Sequence, residues 1–255
     1  MNASQLPDRF IVPVRRYLRL LLLWVTLGSA SFAAEPAATT NAAFDSALTE
    51  IAKTQKQIPF KEVIRATTHH RILDYDAKNP AHAELHRKLA ASASLAAEKA
   101  RAAGVFAARP NEAGNHMEAF VKAELQAAGL NARTPVTATG GAQSAGYPDI
   151  EILGDPPCYL ELKTYSAATA DTTQRSFYYS PSGQPKVTRD ALHLLLAYEV
   201  IKVDRDGKTS FVPVHWKLIT LQDLKVDLKL EFNQSNRGLY GKEAAAALMS
   251  EGAMD

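Results

Sequence analysis

The sequence predicts an α/β fold in which a mixed sheet is flanked by helices and preceded by an N-terminal helical arm. Residues 44–104 are rich in good helix formers, and prolines interrupt them, which predicts the helices of the arm. Residues 149–153 and 158–165 then alternate apolar and polar side chains, as strands do. The dipeptide Asp206-Gly207 separates two further strand-like segments and is a strong hairpin signal.

The composition is that of a globular protein. The chain has 255 residues, of which 46% are hydrophobic and 22% charged; this excludes an intrinsically disordered chain and suits one domain, with or without an appended arm. The formal net charge of +2 permits a polyanionic partner without arguing for one. The single cysteine, Cys158, excludes an internal disulfide and a zinc site built from cysteines.

The N-terminus has the features of a signal peptide over residues 1–33. Four arginines precede a short apolar run, Leu20–Leu27, and small residues end in Ser31-Phe32-Ala33. Because a membrane-spanning helix needs about 20 apolar residues, the run predicts a cleaved leader and no stable membrane insertion. We therefore expect a periplasmic or secreted protein. The alternative is a cytoplasmic protein with a misassigned start codon, because such segments are short and degenerate.

Changes in composition divide the rest of the chain into three parts. Residues 34–43 are rich in alanine and threonine and predict a flexible lead-in. Residues 44–111 form the helical arm, in which Pro80 opens a helix and Gly104 ends it. Residues 112–255 hold the sheet-forming core and a C-terminal helix.

Local signals place further elements within the core. A helix is predicted over Asn115–Ala128, with its first residue as the N-cap. A short helix over Thr188–Leu192 is predicted to precede a strand over His193–Asp204. The next strand, Ser210–Leu221, contains Pro213, which predicts that this strand lies at an edge or carries a bulge.

The segments most indicative of chemistry are a Pro-Asp pair ending at Asp149 and, twelve residues later, Glu161-Leu162-Lys163. Because side chains alternate along a strand, Glu161 and Lys163 share one face while Leu162 points to the other. Charged groups on an otherwise apolar strand need a partner or a metal ion when they are buried. The ordinary alternative is an exposed glutamate and lysine on a half-exposed strand.

The register between the two strands decides whether a site forms there. A turn of residues 154–156 places Asp149 opposite Glu161, on the same face. A turn of residues 154–157 places Asp149 opposite Leu162, on the wrong face. The sequence alone permits both registers.

In the first register, two carboxylates would form an oxygen-rich site that suits hard cations such as Mg²⁺ or Mn²⁺. Such a cation polarises a phosphoryl oxygen and lowers the pKa of a bound water. The carbonyl of Leu162 is a candidate further ligand beside Asp149 and Glu161. Lys163 would stabilise the charge that develops on a phosphate, and could help orient the attacking water.

The Pro-Asp-x11-Glu-Leu-Lys pattern, in a strand–turn–strand context, resembles the PD-(D/E)xK nuclease superfamily with its restriction-endonuclease-like fold. The upstream segment GNHMEAFVKAELQAAGL strengthens the resemblance, because Gly114, Glu118 and Gly129 are similar to the first helix of that fold. The resemblance covers residues 112–221 in layout, and its motif is short. Within that superfamily the sequence most resembles type II restriction endonucleases, since residues 175–200 are similar to the elaborated cores of those enzymes.

The resemblance implies a Mg²⁺- or Mn²⁺-dependent endonuclease that hydrolyses phosphodiester bonds of double-stranded DNA. It implies that Asp149, Glu161 and the Leu162 carbonyl bind the metal ion. It further implies that Lys163 is catalytic and that Glu118 is an extra carboxylate of the site. Analogy with restriction enzymes also suggests a homodimer.

The predicted leader favours two alternatives, because an exported restriction enzyme would lie apart from the DNA of the cytosol. One alternative is an exported nuclease that acts on RNA or as an antibacterial toxin. The other is a non-catalytic exported binding protein with a nuclease-like fold, which would bind no metal ion.

Other motifs carry weaker signals. His82 and His86 stand four residues apart on a helix, but Glu84 lies at the wrong position for a zinc-protease motif, so a solvated helix face is favoured. Cys158 is predicted to be a packing residue. Scattered basic residues could contact a nucleic-acid backbone: Lys186, Arg189, Lys202, Lys217, Lys225, Lys229 and Arg237.

Overall fold

The computed structural model describes residues 37–53, 56–107, 110–143, 145–229 and 233–252. The predicted leader over residues 1–33 lies outside the described residues. The chain divides into two compact units, one up to Glu50 and one from Ile51 onward. Helix α1, Ala37–Lys53, begins in the first unit, and its last three residues belong to the second. The predicted boundary between arm and core at residue 112 stays a prediction.

The second unit alternates helices and strands. Its helices are α2 (Phe60–Thr68), α3 (Pro80–Ala103), α4 (Pro110–Ala127) and α5 (Asn236–Tyr240). Its strands are β1 (Ile58–Pro59), β2 (Ile72–Leu73), β3 (Val105–Phe106), β4 (Asn131–Arg133), β5 (Ile150–Leu153), β6 (Cys158–Tyr165), β7 (Ala191–Arg205), β8 (Lys208–Thr220) and β9 (Lys225–Val226). Short 3-10 helices cover Ala167–Thr169 and Lys242–Ala247. Among the described residues, no helix combines the length and apolarity needed to cross a membrane.

Seven of the described strands form one mixed sheet in the order β3-β8-β7-β6-β5-β4, and β2 pairs with the start of β7. Strand β7 runs parallel to β6 and β2, and antiparallel to β8. Strand β5 is antiparallel to both β6 and β4. Strands β1 and β9 form a separate antiparallel pair.

Local signals set the β7–β8 hairpin. Asp206 and Gly207 have φ angles of 54° and 75°, as a two-residue type I′ turn requires, and glycine adopts such angles without strain. Pro213 pairs with Val200 at a register shift of this ladder. The bulge accommodates a residue that has no amide hydrogen, which confirms the prediction for this strand.

Apolar clusters cover both faces of the sheet. One cluster packs α3 and α4 against the face that carries Leu160 of β6, with Met117 among its members. The other packs Phe60 and Ile64 of α2 near Tyr159, the residue before Leu160. Adjacent residues of a strand point to opposite faces, so helices flank the sheet on both sides. The predicted α/β architecture, a mixed sheet flanked by helices, is confirmed.

Two local predictions are wrong. Helix α4 begins at Pro110 rather than after Asn115, so Glu118 lies in the helix interior and not in its first turn. The helix predicted at residues 188–192 is absent there, since residues 188–190 are irregular with a bend at Arg189 and β7 begins at Ala191. The Thr188 amide donates instead to the Tyr159 hydroxyl at 2.9 Å, a long-range contact that overrides local propensity.

The buried side chain of Ile152 in β5 is 1% exposed, so Ile152→Ala should remove apolar contacts and leave a cavity. We expect the free energy of unfolding to fall by about 2–5 kcal/mol. Ile219→Ala is the matched control, because Ile219 in β8 is 45% exposed and should matter far less. Urea unfolding followed by circular dichroism measures both changes, and equal losses would contradict this description of the core.

Candidate active site

Strands β5 and β6 bring the Pro-Asp and Glu-Leu-Lys segments together. Their ladder pairs Ile150 with Leu160, so Asp149, one residue before β5, lies opposite Glu161. This is the register of the shorter turn, in which the two carboxylates share a face of the sheet. The structure therefore meets the geometric condition that the sequence left open.

A main-chain hydrogen bond fixes Asp149 in this position. The Leu162 amide donates to Oδ2 of Asp149 at 2.7 Å. The amide and carbonyl groups of one residue in such a strand pair face the same neighbour, so the Leu162 carbonyl faces the Asp149 side. The Leu162 side chain is buried in the apolar cluster of the other face. The carbonyl and the carboxylates are thus positioned by the same stretch of β6.

Glu161 and Lys163 form a close ion pair on one face of β6. The Lys163 Nζ lies 2.5 Å from Oε1 of Glu161. Glu161 is only 3% exposed, and its second oxygen, Oε2, is buried without a hydrogen-bond partner among the described residues. A buried, unsatisfied carboxylate oxygen is costly, which points to a cation or a water as its intended partner.

The two carboxylates hold their protons more tightly than usual. Burial and repulsion from Asp149 raise the pKa of Glu161 to about 7, against the opposing charges of Lys163 and Lys186. Burial also raises the pKa of Asp149, whereas the hydrogen bond from the Leu162 amide and the charge of Lys163 lower it. Burial therefore disfavours the ionised form of both carboxylates, and an added cation would favour it.

Glu118 stands apart from this pair. It lies inside α4 and forms an ion pair of 3.2 Å with Lys122, which also donates to the Thr134 hydroxyl at 3.1 Å. The negative charge of Glu118 raises the pKa of Asp149, so Glu118 acts electrostatically on the site. The structure thus brings Asp149, Glu161 and Lys163 together, and places Glu118 at their periphery.

Lys186 is a site residue whose position sequence reasoning missed. It was predicted only as one of several basic residues for a nucleic-acid backbone. The structure buries it in the crossover between β6 and β7, where its ammonium group donates to the Gly146 carbonyl oxygen. The charges of Asp149, Glu161 and Glu118 act on it. No short motif includes a residue 23 positions beyond Lys163, so the sequence offered no signal for this placement.

The oxygen ligands present fit a divalent metal ion. Asp149 and Glu161 lie opposite each other, and the unsatisfied Glu161 Oε2 is available to a cation. Within the segments that the structure describes, no three histidine, cysteine, aspartate or glutamate side chains are grouped so as to hold an ion. The candidate ligands are therefore two carboxylates and the Leu162 carbonyl, with water completing the shell of a hard cation.

The other candidates have structural roles. His82 accepts a hydrogen bond from the Asp76 amide at 3.0 Å through Nδ1, and its ring stacks on Tyr75. His86 contacts the same tyrosine ring edge-on. Cys158 is buried in the apolar cluster beside α4, as its prediction as a packing residue requires. These residues do not converge with the carboxylates.

The raised pKa of Glu161 gives the metal-free protein a pH-dependent stability. The folded state keeps the Glu161 proton up to a pH of about 7, whereas the unfolded chain releases it near its ordinary value of 4.5. This contribution to stability is therefore full below pH 4.5 and is lost as the pH rises to about 7, a change of about 3 kcal/mol. Glu161→Gln should lack this loss. Urea unfolding in EDTA across this range measures it, and parallel curves for both proteins would contradict the assignment.

Comparison with known proteins identifies relatives of this chain. Residues 51–243 match the family described as Type II restriction enzyme MjaV family, and this segment contains every residue of the candidate site. The type II restriction enzyme MjaV of Methanocaldococcus jannaschii is 33% identical over 216 residues, which cover 78% of this chain and 92% of that enzyme. No solved structure matches the chain. The resemblance to type II restriction endonucleases is confirmed, and the chain belongs to the type II restriction enzyme MjaV family.

Proposed function

We propose that this protein is a divalent-metal-dependent endonuclease that hydrolyses phosphodiester bonds of double-stranded DNA. Family membership and the similarity to the restriction enzyme of M. jannaschii support restriction endonuclease activity. The observation that carries the chemistry is the buried Glu161–Lys163 pair with Asp149 opposite it. We assign these three residues to a PD-(D/E)xK motif.

In this proposal Asp149, Glu161 and the Leu162 carbonyl hold the metal ion, which is Mg²⁺ or Mn²⁺. When bound, such an ion polarises a phosphoryl oxygen and lowers the pKa of an attacking water. The chain's own contribution is to keep both carboxylates in place before the ion arrives. The hydrogen bond from the Leu162 amide orients Asp149, and burial in the sheet fixes Glu161.

Lys163 supplies positive charge to the phosphate. Its ammonium group is held at 2.5 Å from Oε1 of Glu161, so it stands beside the proposed metal ligands rather than in bulk water. Preorganised positive charge stabilises the negative charge that develops on the phosphoryl oxygens during hydrolysis. Glu118 is proposed as an extra carboxylate that acts on the site from α4 without belonging to the ligand pair.

The buried Glu161 oxygen without a partner argues against a binding protein that has merely kept the fold, because such a protein gains nothing from that cost. A panel of double-stranded DNA, single-stranded DNA and RNA separates restriction-type cleavage from an exported ribonuclease or antibacterial nuclease. Homodimerisation stays a prediction, which the molecular mass in solution tests.

Loss of the charge of Asp149 or of Lys163 should abolish DNA cleavage. Asp149→Asn keeps an oxygen that can accept the Leu162 amide hydrogen. Lys163→Ala removes the side chain beyond Cβ and leaves Glu161 without its partner, and circular dichroism should show that both variants stay folded. We expect each variant to lose at least about 100-fold in single-turnover cleavage with Mg²⁺ or Mn²⁺.

Lys99→Ala is the matched control for Lys163→Ala. The Lys99–Glu124 pair also measures 2.5 Å and also has a buried glutamate, but it joins α3 to α4 away from the carboxylate pair. We expect it to lose stability and keep cleavage. Full activity of both site variants, or no cleavage of any DNA by the wild type with either metal ion, would refute the proposal.

We propose further that residues 1–33 are a cleaved export leader. The family match begins at residue 51, so the relationship to restriction enzymes assigns no role to residues 1–33. After expression of the full chain in a bacterium, we expect a periplasmic product that begins at residue 34. Leu22→Arg should block processing, because a charge interrupts the apolar run. A wild-type product that stays cytoplasmic with its leader attached would contradict export and favour a misassigned start.

A further inference from the structure

Lys186 is unusual among the basic residues that the structure describes because it is almost fully buried. It is 4% exposed although it lies in the polar crossover between β6 and β7. Lysines are rarely buried unless they are paired, since burial removes the ammonium group from water. Its ammonium group donates to the Gly146 carbonyl oxygen, three residues before Asp149. The crossover thus places a positive charge beside the segment that leads to Asp149.

The segment that follows Lys186 is fixed residue by residue. The Val187 side chain is buried in the α2 cluster, and the Thr188 amide donates to the Tyr159 hydroxyl at 2.9 Å. Arg189 forms an ion pair of 3.1 Å with the buried Glu151. Asp190 binds the Arg71 guanidinium at 2.8 Å. These anchors on consecutive residues hold the lysine in one place, which is the property expected of a preorganised site residue.

Lys186 interacts electrostatically with the carboxylates and also lines a cleft. Burial lowers the pKa of Lys186, while the charges of Asp149, Glu161 and Glu118 raise it, so the ammonium group lies in the field of all three. The same residue lines a cleft of about 320 Å³, together with Gly146 and Gln184. The cleft is open to solvent, so a substrate group that enters it can reach Lys186, whose charge also interacts with the two carboxylates.

We propose that Lys186 is a second active-site lysine, which contacts a non-bridging oxygen of the DNA phosphate being cut. This inference rests on the proposed function. A metal ion would neutralise Asp149 and Glu161, which leaves Lys163 and Lys186 to face the phosphate. A phosphodiester carries one negative charge and gains a second when hydroxide attacks, so two preorganised ammonium groups match the charge of the transition state.

The test separates this role from simple support of the Gly146 segment. Lys186→Met removes the charge and keeps most of the buried stem, and Lys186→Arg retains the charge. We expect Lys186→Met to slow single-turnover DNA cleavage by about 100-fold and Lys186→Arg to recover part of the loss. Calorimetry of the metal-free protein without DNA should show Mn²⁺ binding to Lys186→Met as tight as in the wild type or tighter, because a neighbouring cation is gone.

The opposite result for Mn²⁺ would overturn the inference. If Lys186 only supports the chain before Asp149, Lys186→Met should bind Mn²⁺ more weakly and melt at a lower temperature. Lys186→Arg should then recover none of the lost cleavage. Unchanged cleavage by Lys186→Met would also overturn it. Lys99→Ala serves as the control for loss of a lysine elsewhere. A wild type that neither binds Mn²⁺ nor cuts DNA would instead refute the proposed function itself.

Discussion

The hydrogen bond from the Leu162 amide to Asp149 is the contact on which the candidate site depends. It exists because the β5–β6 ladder pairs Ile150 with Leu160 and so ends next to Asp149. A slip of one residue would turn Asp149 to the other face and leave Glu161 with Lys163 alone. The site is therefore a consequence of strand register, and the apolar packing of Leu160 under α4 is what secures that register.

The same arrangement opposes folding. Two carboxylates share one face of a buried strand pair. Burial raises the pKa of both Asp149 and Glu161, and repulsion from Asp149 raises the pKa of Glu161 further. The ammonium group of Lys163 offsets part of this cost, and one oxygen of Glu161 still lacks a partner among the described residues. The two apolar clusters must supply the remaining stability. Local conflict of this kind, held in place by a consistent surrounding fold, is what distinguishes a functional site from a core.

The parts of this structure that local chemistry controls could be predicted from the sequence. Asp206-Gly207 fixes its hairpin through backbone angles, and Glu161 and Lys163 share a face because any strand alternates. The register of Asp149 could not be predicted, because the turn before β6 allowed two lengths. Lys186 was beyond prediction for a related reason: contacts distant in sequence, such as that of Thr188 with Tyr159, determine where the crossover lies.

A comparison within the chain shows what makes one ion pair a candidate for catalysis. Lys99–Glu124 and Lys163–Glu161 have the same 2.5 Å separation and a buried glutamate in each case. Lys99 satisfies Glu124 from solvent, with a side chain that is 59% exposed, and the pair ties two helices together. Glu161 faces a second carboxylate and keeps an unpaired oxygen, so a single lysine cannot satisfy it. The difference is the second carboxylate, Asp149, which adds negative charge beside Glu161, and that excess attracts a metal ion, which can in turn bind a phosphate.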